Sequence, residues 1–279
     1  MLRSMITATN TMGQLQKQLD QIGHNLANVD TQSYKRTETT FSELVRQQFT
    51  NQGNALEEKE EERFGTELGI RQGTGARLNK SVVFTQGSIK QTGRSLDIAF
   101  TSPDQFLQID VNGQINYTRD GALYLSPATD GSNQLLLSTA SGNLVLDENQ
   151  NPIRFNDTFK ELMISKDGTI RAIPRNETEQ PQEFQLGVIQ VDRPQMLSQL
   201  GNNLYGLKDM GDMQIEDVLT YLEGADRGAV TMQQGALEMS NVDLTKEMTD
   251  LMISQRSYQM NAKSITLGDQ MLGLINGVR

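Results

Sequence analysis

From Leu237 to Asn276 the chain carries no proline, and its apolar residues fall on two sides of any helix built there. Leu251, Tyr258, Ile265 and Leu272 recur every seven residues, and so do Ile253, Met260, Leu267 and Leu274. The sets are offset by two residues, about 200° around a helix, so they lie on nearly opposite faces. A helix apolar on both sides needs a neighbour on each. The N-terminus offers one. Met5, Ala8, Met12, Leu15, Leu19, Ile22, Leu26 and Val29 step by three and four among polar residues. That spacing predicts a helix of about 25 residues with a narrow seam of the coiled-coil kind. It covers one side only, and no third long amphipathic segment occurs, so the second side is expected to meet another chain. The residues expected to carry subunit packing are Met12, Leu15, Leu19, Ile22, Leu26, Val29, Leu244, Met248, Leu251, Tyr258, Ile265 and Leu272.

Between the ends the period changes to two. "FLQIDVNGQINYTRDGALYL" sets Asn112-Gly113 between alternating runs, a hairpin signal, and "LMISKDGTIRAI" repeats it at Asp167-Gly168. "ALYLSPATDGSNQLLLST" reads as two strands with a longer loop, and "FQLGVIQV" as one further strand. The acidic run Glu57–Glu62 reads as a solvated surface, and Gly65, Gly69, Gly73 and Gly75 suggest an extended connection. The expected fold is α+β. Residues 1–36 and 236–279 form a helical coiled-coil polymerisation unit, 37–80 an extended connecting region, and 81–235 a central antiparallel β-rich domain with its return linker.

The residues offer little for catalysis. No cysteine is present, which removes thiolate metal sites and a cysteine nucleophile. His24 is the one histidine and lies off the seam, so it reads as a surface contact and not as a triad member. Asp147, Asn149 and Asn151 alternate as a calcium loop does, but Pro152 stands where glycine is needed and Thr158 where glutamate is, so the stretch reads as a turn. No cofactor is expected. The net charge of −10 argues against nucleic acid and an anionic membrane surface. No apolar run is long enough to span a membrane, and the first residues lack the apolar core of a cleaved signal peptide. The 13 methionines gather largely at the helical ends, where a flexible side chain fills irregular contacts.

Two motifs answer each other across the chain. "IGHNLANVDTQSYKR" places Asn25, Leu26, Ala27, Asn28, Thr31, Tyr34 and Lys35 in one signature, together with Ile22 and Val29. "GALEMSNVDLTKEMTDLMISQRSYQMNAKSI" places Leu237, Glu238, Ser240, Asn241, Val242, Asp243, Gln255, Arg256, Tyr258 and Asn261 in another. With "QGSIKQTGRSLDIAF", "YTRDGAL" and "LGNNLYGL" between them, the whole chain resembles the bacterial flagellar basal-body rod and hook proteins, most closely the distal rod type. One departure stands out: the family's usual Gly-Asp-Gly-Phe-Phe after the "LDIA" strand is here "TSPDQFLQI". The resemblance implies a non-enzymatic axial subunit, exported unfolded through the flagellar type III apparatus without a cleaved signal. It implies assembly with its own copies and other rod and hook subunits into a shaft that passes torque from motor to hook. In that family the terminal helices form the inner coiled-coil layer and the β domain the outer tube. Two other readings fit the residues: a soluble coiled-coil adaptor or chaperone that does not polymerise, and, more remotely, an enzyme that remodels the cell wall. On the signature itself, Asn25 and Asn28 are expected to bond an adjoining helix or cap the helix end, with Asp30, Thr31 and Ser33 turning the chain outward toward the β domain.

Overall fold

The computed structural model describes residues 2–47, 70–128, 134–175, 180–208 and 214–277. The acidic run at 57–62, Gly65 and Gly69 lie outside them. The chain forms two compact units. The first holds residues 1–24, 38–81 and 245–279, and the second residues 25–37 and 82–244. The architecture is α+β, with antiparallel ladders in the second unit.

Helix α1 spans Leu2–Ala27 and belongs to the first unit through His24. Its covered positions follow the predicted seam: Ala8, Leu15 and Ile22 are buried, and Met5, Met12 and Leu19 half-buried. The helix stops two residues before Val29. Asn28 N–H donates to the Asn25 carbonyl and Val29 N–H to that of Leu26, so the last turn tightens to i→i+3 bonds. Val29 therefore sits in a turn and does not finish the seam.

Helix α2, Leu244–Gly277, runs 34 residues, about 51 Å. It begins later than its proline-free composition suggests, because Ala236–Glu238 is drawn into a strand paired with Ile89–Gln91. Its covered row is Glu247, Leu251, Ser254, Tyr258, Asn261, Ile265, Gly268 and Leu272, a steady alternation of three and four. A Cβ built on Gly268 would meet the Met5 side chain at 3.1 Å, so the two helices touch there. Strands Thr37–Gln47 and Ile70–Val82 form a two-stranded sheet in the same unit, which the sequence did not suggest. Lys246 pairs with Glu38 at 3.4 Å, and Lys80 donates to Gln21 at 3.0 Å.

The second unit is built on a ten-stranded sheet. Its strand order runs Arg154–Asn156, Gln134–Thr139, Leu144–Val145, Gln105–Val111, Gln114–Thr118, Leu204–Leu207, Leu197–Gly201. Leu123–Pro127 pairs with Gln134–Thr139, as expected, and Val188–Val191 bridges Gln105–Val111 and Leu219–Tyr221. Both hairpins form. Asn112 and Gly113 adopt φ of 54° and 81° between Gln105–Val111 and Gln114–Thr118, the left-handed pair of a type I′ turn. Asp167-Gly168 lies between Phe159–Ile164 and Thr169–Pro174. "FQLGVIQV" divides into two strands, since Gln182–Gln185 pairs in a separate three-stranded sheet and Val188–Val191 in the main one. The break is at Leu186-Gly187, whose amides are claimed by the Gly168 and Leu146 carbonyls.

Strand Gln105–Val111 is central because both its faces are covered. Side chains alternate across a strand, so Phe106 enters one cluster, with Tyr117, Ile189, Val191 and Tyr205, and Leu107 and Ile109 enter another, with Ile98, Phe100, Leu137 and Phe155. Phe84, Phe106 and Tyr205 meet edge-on at 5.4–5.6 Å, the favoured geometry for aromatic pairs.

The approach of the Gly121 backbone to this core leaves no room for a side chain: a Cβ there would lie 1.8 Å from the Ile98 carbonyl oxygen. Gly121→Ala must displace backbone and disturb the bond from Ile98 N–H to the Gly121 carbonyl, and is expected to cost more than about 2 kcal/mol in urea unfolding. Gly113→Ala meets open space and only the positive φ, so about 1 kcal/mol is expected there.

Candidate functional site

The N-terminal signature does not end in a solvent-facing turn. Asn25, Ser33, Tyr34, Lys35 and Thr37 are buried. Asn25 donates through Nδ2 to the Thr37 carbonyl, and its Oδ1 accepts from the Tyr34 hydroxyl and the Thr37 N–H. Its partners are therefore its own downstream chain, not an adjoining helix. Asn28 Oδ1 accepts from the Thr31 hydroxyl, a local turn bond. Ser33 adopts φ +56°, costly for a residue with a Cβ. Two bonds hold it there: its N–H donates to the Glu238 carbonyl and its hydroxyl to the Arg119 carbonyl. The bend at Ser33 takes the chain into the β-rich second unit, as expected, and buries it there.

The bend delivers Lys35 to Glu238. Lys35 Nζ lies 2.6 Å from Glu238 Oε1 and donates also to the Thr85 carbonyl at 2.8 Å. Arg119 Nε donates to Glu238 Oε2 at 2.9 Å, and Nη2 of the same guanidinium lies 2.7 Å from that oxygen as an ion pair. Gly87 N–H completes the carboxylate at 2.9 Å. The three charged side chains are at most 1% exposed. Arg119 Nη1 turns to the carbonyls of Ser102, Pro103 and Gln105, so the guanidinium also fixes the loop that replaces the glycine-rich turn. Gly87 lets the chain pass this closely, since a Cβ there would lie 2.0 Å from the Met239 carbonyl oxygen.

Three residues further on, Asn241 repeats the role of Asn25. Its Oδ1 accepts from Arg36 N–H at 2.7 Å, and its Nδ2 donates to the Val83 and Thr85 carbonyls. The two signatures, separated in sequence by more than two hundred residues, thus meet in one buried polar junction.

The electrostatics follow from burial and charge. Burial drives the Lys35 ammonium down to about 8, Arg119 pushes the same way, and Glu238 opposes both. Burial alone would raise Glu238, but Arg119 and Lys35 outweigh it and hold the carboxyl below the usual range. Burial raises the Tyr205 and Tyr117 hydroxyls.

Not every sequence candidate joins this junction. Among the packing residues, Leu15 and Ile22 are buried, and Met12, Leu19, Leu26, Val29, Leu251, Tyr258, Ile265 and Leu272 half-buried, while Leu244 and Met248 are exposed at 44% and 47%. Among the motif residues, Ser240 is buried, Val242 and Thr31 half-buried, and Ala27, Asp243, Gln255 and Arg256 exposed. Asn261 donates to the Ser257 carbonyl within α2. In the sequence Ser33 is marked only as a turn residue, and Gly87, Arg119 and Glu238 only as parts of motif stretches, with no role of their own. The signal for Glu238 is a lone acid in the run Ala236–Met239, and for Arg119 a lone base ending an alternating strand.

The second set of α2 residues forms a separate feature. Met252, Ile253, Met260, Leu267, Met271 and Leu274 are exposed at 51–71%, a long uncovered apolar row. An open groove of about 650 Å³ is lined by Thr101, Ile164, Met232 and Gln234, with Lys166 the one titratable side chain among the described lining residues. Among the described residues no three His, Cys, Asp or Glu side chains gather around a metal position, and no helix is long and apolar enough to cross a membrane. Asp147 Oδ1 accepts from the Asn149 and Asn151 amides and closes a turn.

Residues 233–278 match the model of the flagellar basal body rod FlgEFG protein C-terminal family, and residues 103–172 that of the flagellar hook protein FlgE/F/G D1 domain. Glu238 falls in the first and Arg119 in the second. The flagellar hook-basal body complex protein FlhP of Bacillus subtilis (strain 168) is 50% identical over 279 residues, covering 100% of both chains. The flagellar basal-body rod protein FlgG of the same organism is 30% identical over 272 residues, 98% of this chain and 97% of its own. FlgG of Buchnera aphidicola subsp. Acyrthosiphon pisum (strain APS) is 32% identical over 257 residues, 90% of each.

Glu238→Ala leaves two buried cations unpaired and is expected to cost about 3–5 kcal/mol in urea unfolding. Lys35 supplies a pH test. Its ordinary value is 10.5 and its folded value about 8, so between these the unfolded chain binds a proton that the folded one has released. The Lys35 contribution to stability therefore rises with pH across that window. The wild-type urea midpoint, measured against Lys35→Met from pH 8 to 10, is expected to rise relative to the variant.

Proposed function

Since the chain belongs to the flagellar basal-body rod and hook family, we propose that it is an axial structural subunit of the distal rod type that polymerises helically through its terminal helices. The observation that carries this reading is the exposed row on α2. Large contiguous apolar surface is uncommon on a protein that stays alone, and this row is set opposite the one that is already covered. One face of α2 and the seam of α1 form a coiled-coil pair within the subunit, and the free face takes the helices of neighbouring copies and of other rod and hook subunits. The two faces of such a contact differ, so repetition does not close into a ring of fixed size but grows a helical filament. Methionine at Met252, Met260 and Met271 suits a surface that packs against neighbours of slightly different shape. Many weak contacts along helices of this length resist twisting together, which is the mechanical demand of passing torque from motor to hook. The β-rich unit forms the outer wall.

In this reading the subunit is exported unfolded through the type III apparatus without a cleaved signal, and its lack of cysteine avoids cross-links in transit. It acts through packing and needs no cofactor.

Met260, at 70% exposure, separates assembly from folding. Met260→Asp is expected to leave monomer stability within about 0.5 kcal/mol and the chain exportable, while cells carrying it as their only copy lose swimming and accumulate no assembled subunit. Normal swimming and assembly would contradict the reading.

A further inference from the structure

We infer that Ala229–Asn241 is the closing element of the second unit, the segment without which residues 25–37 and 82–228 do not complete their core. Four sets of contacts tie it in. The Gln105 side chain donates to the Ala229 carbonyl at 2.7 Å and accepts from Thr231 N–H at 3.1 Å, clasping the start of the segment. Met232–Gln234 then pairs with Ile98–Phe100, whose three residues are at most 2% exposed, and Ala236–Glu238 pairs with Ile89–Gln91. Glu238 neutralises Lys35 and Arg119. Asn241 binds the backbone at Arg36, Val83 and Thr85.

The segment also supplies core. Val230 and Met232 belong to the main hydrophobic cluster, and Ala236 and Leu237 are buried. Without it, the Ile98–Phe100 strand loses its ladder partner and two cations stand buried with no carboxylate. An unpaired buried charge is not sustained in a protein interior. A segment that only decorated a finished core could fray alone, as chain ends commonly do. This one opens only when the whole unit opens.

The arrangement bears on export, in a clause that rests on the axial-subunit reading. Lys35 and Glu238 lie far apart in sequence, so the unit cannot close until both Asn25–Thr37 and Ala229–Asn241 stand on the same side of a channel. Whichever end leads, the chain stays open in transit.

Native-state hydrogen exchange on the isolated full-length chain tests this. The amides of Met232, Gly235 and Met239, bonded to Lys166, Asp97 and Ser88, report the segment, and those of Gln108 and Leu137, bonded to Gly187 and Ile153, report the core. Both groups are expected to show the same protection within about threefold, and Asn241→Ala to speed both by one common factor. Segment amides exchanging more than about 100-fold faster than a still-protected core would overturn the inference, as would acceleration by Asn241→Ala confined to the segment. The measurement needs no assembly, so failure of the axial-subunit reading would leave its outcome unchanged.

Discussion

One carboxylate shared by two buried cations organises the larger unit. Glu238 receives Lys35 from the N-terminal signature and Arg119 from the end of a central strand, and its own backbone lies in the last ladder before α2. Removing three charges from water offsets most of what their attraction returns, so such a cluster adds little net stability. Its effect is on alternatives. Any arrangement in which one partner is displaced leaves a buried charge unpaired, and that is expensive. The left-handed Ser33, the approach of Gly87 to Met239 and the amide networks of Asn25 and Asn241 all serve to bring those three side chains into register.

This changes what the signature residues are for. In the sequence they look like a helix end and a turn, with Asn25 and Asn28 placed to bond an adjoining helix or to cap their own. In the structure Asn25 and Asn241 hold their own chain's backbone from the two ends of the sequence. A long apolar row left exposed lies on α2, running from Met252 to Leu274. If that row takes the neighbouring subunits, as proposed, closure of the unit and assembly draw on different residues, so a substitution can damage one and spare the other.

How much was legible in the sequence follows from the range of each signal. The periods of α1 and α2 and the turns at Asn112-Gly113 and Asp167-Gly168 are written in adjacent residues, and both helices and both turns form, although Leu244 and Met248 at the start of α2 are exposed. So does the two-sided character of α2, since periodicity alone separates its covered and exposed rows. The start of α2 was misplaced because Leu237 and Glu238 have ordinary helix propensity, and tertiary pairing with Ile89–Gln91 overrides it. The end of α1 was misplaced because Val29 continues the apolar spacing after the backbone has left the helix. The junction itself was out of reach: that Lys35 meets Glu238, or that Arg119 joins them, is a property of the β topology and of no local pattern. The two motifs marked the right neighbourhoods without showing that they touch.

The central claim is that Lys35 and Glu238 act together inside the folded unit rather than separately at its surface. A double-mutant cycle of Lys35→Met and Glu238→Gln, read by urea unfolding, measures that directly. The account predicts a coupling of at least about 1.5 kcal/mol, within the range found for residues in one buried network. Coupling near zero, with the two single losses simply adding, would contradict it.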